Sequence, residues 1–177
     1  MKKFELTSET KINIFGKKLF RIKALVSFGV VKTGETGGWV EKEENVNQSG
    51  DAWVFGNAEV FGNARVSGDA RVFDNAMVSG NARVSGDARV FDNAEVSGNA
   101  EVSGNADYTT IHGFGTQFRT TTFFRCKDKQ VKVSCGCFYG TIPEFREQVK
   151  NTRDGKIAEE YLMIADLMEK HFAEEAK

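Results

Sequence analysis

The chain has 177 residues, 40% of them hydrophobic, with 18 glycines, a single proline and a formal net charge of −1. A balance so near neutrality provides no global field for nucleic acid or an anionic membrane, and no apolar run reaches bilayer length. By segment the formal charge runs +5 over 1–36, −7 over 37–109, +4 over 110–140 and −3 over 141–177. The opening Met-Lys-Lys-Phe-Glu-Leu-Thr lacks the apolar core of a secretion signal. Three cysteines, an odd number, then read as reduced thiols of a cytoplasmic protein rather than as a disulfide framework.

In chain order, the first predicted element is a hairpin: Ile12-Asn13-Ile14-Phe15, a turn at Gly16-Lys17-Lys18, then Leu19-Phe20-Arg21-Ile22. Residues 1–37 are expected to form an N-terminal cap on a repeat array, because such an array exposes unpaired strand edges at its ends. From Gly50 to Thr109 the chain is periodic. Alanine recurs every sixth residue from Ala52 to Ala106, and valine every sixth from Val54 to Val102, with Tyr108 in the tenth place. Two residues apart on a strand, Ala and Val point to one face, while the variable residue between them points to the other. Gly-Asn and Gly-Asp pairs before most of the alanines tolerate the backbone angles of a corner. A second period of eighteen (Phe55, Phe73, Phe91; Ser67, Ser85, Ser103) sets three hexads per coil. The pattern predicts a parallel β-helix of triangular section over 38–109, its perfect hexads about 15 Å tall at one strand spacing per coil. Extended backwards, the frame places Val40 and Val46 at alanine positions of one imperfect coil.

Beyond Thr109 a module over 110–177 is expected. Arg119-Thr-Thr-Thr-Phe-Phe-Arg-Cys-Lys127 and Gln130-Val-Lys-Val-Ser-Cys-Gly-Cys-Phe138 flank a polar turn at Asp128-Lys129 and read as a hairpin. Thr141-Ile142-Pro143-Glu144 is a capping box with proline in the first helical turn. A second helix from Lys156 aligns Ile157, Tyr161, Ile164, Ala165, Met168 and Phe172 on one face.

The hexads resemble the left-handed parallel β-helix of hexapeptide-repeat proteins, best known from bacterial acyltransferases. The opening FELTSETKINIFGKKLFRIKAL, the lead-in GGWVEKEEN and the closing GFGTQFRTTTFF…VSCGCFYGT…EF resemble a narrower group, hexapeptide-repeat proteins encoded by phages and prophages. That resemblance implies a bacterial host cytoplasm, and a non-enzymatic protein acting on host machinery, such as a defence system, by binding. The fold it resembles is typically trimeric.

The side chains present limit the chemistry. Acyl transfer needs a general base within reach of its substrate. The hexads contain no histidine, which leaves His112, just past the last coil, as the base of a rival enzyme reading. A second rival is a sponge holding a nucleotide signal between protomers, although the chain has no phosphate-binding loop. Cys126, Cys135 and Cys137 with His112 could make a zinc site, but Cys135-Gly136-Cys137 is not a zinc-knuckle spacing, and small buried thiols are the plainer reading. No metal and no cofactor are therefore expected. Alternation groups Phe123, Arg125 and Lys127 on one hairpin face, with Lys132 and Ser134 on the partner strand and Arg119 and Lys129 flanking. Such a basic and aromatic face suits a host protein, with nucleic acid the less favoured partner and no membrane contact. Phe55, Phe73 and Phe91 follow inward valines and should stack in an outward column, with Phe61 one corner away. A homo-oligomer, a trimer ahead of a dimer, is expected to cover it, aided by the helix from Lys156 to Phe172.

Overall fold

The structure, a computed structural model, describes residues 1–173; the last four residues of the expected C-terminal module lie outside the described part. Its centre is a parallel β-solenoid. Two-residue strands recur every six residues: β4 Trp53–Val54, β5 Glu59–Val60, β6 Arg65–Val66, β7 Arg71–Val72, β8 Met77–Val78, β9 Arg83–Val84, β10 Arg89–Val90, β11 Glu95–Val96 and β12 Glu101–Val102. They stack into three parallel sheets, β4-β7-β10, β5-β8-β11 and β6-β9-β12, each residue pairing with the one eighteen positions on. Two hydrogen bonds join each strand to the next coil, as where the N–H of Arg71 donates to Ala88 O and that of Phe73 to Val90 O (2.9 and 3.0 Å). Every alanine and valine of these coils from Ala52 to Val102 is buried. Each valine so buried is worth roughly 1.5–3 kcal/mol, and the small alanine lets the chain turn the corner without crowding the interior.

The three corners differ in tightness. At one, a Cβ on Gly80 would lie 2.9 Å from Gly98 N; at another, a Cβ on Gly68 would lie 3.0 Å from Gly86 N. Both glycines have left-handed φ, +66° and +67°. At the third corner a Cβ on Gly56 would meet nothing nearer than 3.9 Å. The next two coils carry Asp74 and Asp92 at that corner, at φ of +59° and +57°. The looser corner has room for a side chain, and aspartate is one of the few that tolerates this backbone.

The first coil departs from the expected frame. Val40 pairs with Val60, and Val46 bridges Val66, an offset of twenty residues rather than eighteen. Both therefore occupy valine places, not the alanine places the backward extension assigned. Two extra residues lie between Val46 and Ala52. One of this stretch, Gln48, accepts from Lys3 N (2.8 Å) and Phe4 N (3.2 Å), and donates to Phe4 O. The irregularity thus ties the N-terminal strand to the solenoid. Asn45, in a 3₁₀ turn at Glu43–Asn45, is fully buried, and its side-chain amide donates to Ala64 O at 2.8 Å. The solenoid also ends one hexad early. Residues 105–107 form a 3₁₀ turn, Ala106 is exposed, and Tyr108 already belongs to the next sheet.

The N-terminal cap is an antiparallel extension of the β5 sheet, in the order β1 Phe4–Ile12, β2 Lys18–Ala24, β3 Thr36–Val40. The expected hairpin exists, but its first arm lies earlier in the chain. Ile12-Phe15 forms the end of β1 and the turn, because Asn13 Oδ1 accepts from the N–H groups of Phe15 and Lys17 (3.0 and 2.9 Å) and closes the loop there. Lys3 finishes the open end of the solenoid: its ammonium donates to the carbonyls of Gly50 and Ala52 (3.1 and 2.9 Å).

At the other end lies a four-stranded antiparallel sheet, β13 Tyr108–Phe114, β14 Arg119–Arg125, β15 Val131–Cys135 and β16 Phe138–Thr141, followed by α1 Ile142–Thr152 and α2 Gly155–Phe172. The capping box forms as expected: Thr141 Oγ1 accepts from Glu144 N, and Glu144 Oε2 accepts from Thr141 N. In α2, Tyr161, Ile164, Ala165, Met168 and Phe172 are buried.

Candidate interaction surface

The expected basic face of the C-terminal hairpin is not assembled. In the β14–β15 register Phe123 opposes Val133 and Phe124 opposes Lys132. Lys132 and Ser134 therefore share a sheet face with Phe124 and Thr122, not with Phe123 and Arg125. Both sheet faces are also covered. Phe124 and Cys126 join the core at the solenoid's end, while Phe123 and Val133 pack with Phe145, Tyr161 and Ile164 of the helices. Alternation alone could not reveal this, since it says which residues share a face but not whether a second layer covers it. Ser134 donates to Glu95 Oε2 (2.9 Å), and the Glu95 N–H donates to Thr122 Oγ1 (3.0 Å), which docks the sheet on β11.

Arg125 is structural. Its guanidinium donates to Phe172 O at 2.9 Å, lies 3.6 Å from Asp107 and sits over the Phe172 ring. It thereby joins the end of α2 to the turn where the solenoid stops. Of the six expected contact residues, Arg119, Lys127 and Lys129 are exposed, Lys132 is half-buried and Phe123 is buried. Lys127 and Lys129 sit together at the β14–β15 turn, and Arg119 starts β14 at the opposite end of the strand.

The cysteines are separated as well. Cys126 is buried against the solenoid, where loss of water pushes its thiol up to about 11. Cys135 lies at the edge of the helix-facing cluster and accepts from Thr121 Oγ1, and Cys137 is exposed. Gly136, with φ of +60°, turns the chain between β15 and β16. Cys135 and Cys137 are consequently not on one strand, as a single hairpin arm would have them. His112 is exposed on β13, where the ladder to β14 is interrupted between Ile111 and Phe114.

The aromatic column is divided by the cap. Phe61 is buried with Leu19 and Trp39 and touches Phe15, and Phe55 packs against the main core. Trp53, which strand alternation points outward between Ala52 and Val54, is fully buried because Phe4 and Phe28 close over it edge-on. Phe73 and Phe91 remain outside. Their rings stack at 5.3 Å and 12°, and Phe91, 40% exposed, meets the edge of Tyr108. The expected helix cover does not occur, because the apolar stripe of α2 is used on the C-terminal sheet. Arg71 and Arg89 open β7 and β10, two residues before these rings. Among the described residues, neither has a carboxylate within the 4.0 Å salt-bridge distance.

Comparison with known proteins agrees with this architecture. The family model described as YdcK Beta solenoid repeat matches residues 70–86 and 82–98, the middle of the coils. No curated protein matches the chain. The chain is a β-solenoid repeat protein. Among its described residues no helix is long and apolar enough to cross a membrane.

Proposed function

We propose that this protein is a non-enzymatic interaction protein of the phage and prophage type. Its hexads wind a left-handed β-helix that serves as an oligomerising scaffold, and its C-terminal module contacts a host protein, such as a defence component that it inhibits by binding. The observation that carries the reading is the stacked Phe73–Phe91 pair, left outside the core beside Arg71 and Arg89, which have no ion-pair partner among the described residues. Exposed aromatic surface costs roughly 25 cal/mol per Å², and aromatic and arginine side chains are enriched where proteins meet. A second and third protomer arranged about this face would cover it, so a trimer is proposed ahead of a dimer. Lys127 and Lys129, exposed at the β14–β15 turn, are the charges with which the module would steer an acidic partner surface.

Light scattering on the wild type and on Phe91→Glu tests the scaffold. The wild type should run as an oligomer at micromolar concentration and the variant as a smaller species with an unchanged circular dichroism spectrum. A monomeric wild type refutes the reading.

A further inference from the structure

We infer that the β6-β9-β12 face carries a small-molecule site for a phosphate ester bearing hydroxyl or amino groups. This assignment rests on the geometry of one chain and is independent of the oligomer proposed above.

The face forms a groove of about 550 Å³, and the irregular first coil builds one wall of it. Glu43, Glu44, Asn47 and Gln48 line that wall, beside the place where two extra residues after Val46 interrupt the repeat. Along its floor Arg65 stands directly opposite Arg83, and Arg83 opposite Glu101, on adjacent strands. Strand spacing puts the two arginine backbones about 4.8 Å apart. Like charges so placed destabilise a sheet. Among the described residues, no carboxylate lies within salt-bridge distance of either guanidinium.

The outward charges of the neighbouring β5-β8-β11 face are treated differently. Glu59 is bound by Lys11 and Asn13, and Glu95 by Ser134. On the β6 face, the arginines stay exposed towards the groove. Two guanidinium forks on adjacent strands offer several N–H donors, which suits the multiple oxygens of one phosphate. Ser67 and Ser85 line the same groove and add hydroxyl donors. At its two ends stand Glu44 and Glu101, while Glu43 is already paired with Lys2. Acid at the ends and base in the middle suits a ligand that is anionic at its centre and rich in hydrogen-bond donors elsewhere. Inorganic phosphate alone would leave the end carboxylates unused and repelled.

Isothermal titration calorimetry with glucose 6-phosphate, adenosine monophosphate and inorganic phosphate tests this. At least one ester should bind with a Kd below about 1 mM and at least about tenfold more tightly than inorganic phosphate. Arg65→Gln/Arg83→Gln should weaken that binding by at least about tenfold. Arg153→Gln/Lys156→Gln, which removes the same net charge from exposed positions at the junction of the two helices, should leave it unchanged. No heat from either ester overturns the site. Equal loss in both double variants also overturns it, because the effect would then be general charge. Inorganic phosphate binding as well as the esters overturns the role given to Glu44 and Glu101.

Discussion

Arg125 and Lys127 are two residues apart on one predicted basic face, yet the structure assigns them opposite energetic roles. Arg125→Glu removes a charge-assisted hydrogen bond to Phe172 O at 2.9 Å, a class worth about 1.5–3 kcal/mol. It also removes an ion pair with Asp107 at 3.6 Å that is about a quarter exposed on both sides. Solvent screening holds that pair to about 0.5 kcal/mol. The new carboxylate would then face Asp107 and the carbonyl end of α2, both unfavourable. The sum is a loss of about 3 kcal/mol. With a urea m-value of about 1–3 kcal/mol/M, the unfolding midpoint should fall by at least about 1 M. Lys127 is exposed, and Lys127→Glu should change stability by no more than about 0.5 kcal/mol. Urea denaturation followed by circular dichroism measures both. Equal midpoints for the two variants would refute the assignment of Arg125 to the joint between solenoid and α2.

Val78 sits between Val60 and Val96 in the solenoid interior; Val78→Asp should cost several kcal/mol, and a melting temperature equal to wild type would contradict the inward packing. Gly80→Ala combines a left-handed φ with a Cβ 2.9 Å from the next coil's backbone, whereas Gly16→Ala has the same kind of φ in open space. Thermal melts should therefore show a clearly larger loss for Gly80→Ala, with about 1–2 kcal/mol expected for Gly16→Ala from the backbone alone. Burial lowers the Lys3 ammonium from 10.5 to about 8, against a weaker opposing pull from Asp51. Between those values the unfolded chain holds a proton that the folded chain has released, so stability should rise with pH across that window. Chemical denaturation at the two ends of the window should show the rise in wild type and its loss in Lys3→Met; a wild-type curve that falls instead would contradict the lowered value.

Much of the fold is legible in the sequence because a solenoid is built from local repetition. Ala52 to Val102 face inward by strand alternation alone, and the eighteen-residue period sets which strands pair. The capping box at Thr141 and the apolar stripe of α2 are readable for the same reason, since each is decided within a few residues. The first coil escapes the frame because its two extra residues interrupt the period, and only the pairing of Val46 with Val66 shows which place each valine takes. The candidate surfaces are the least legible part. Alternation places Phe123, Trp53 and Phe61 outward from their own strands, but the helices cover Phe123 and the N-terminal cap covers the other two. The sequence by itself determined which residues point into the solenoid, because period and pleat are properties of neighbours along the chain. Tertiary structure alone decided which outward residues meet water, leaving Phe91 exposed and burying Trp53, because a covering layer comes from segments distant in sequence and leaves no periodic trace in the strand it covers.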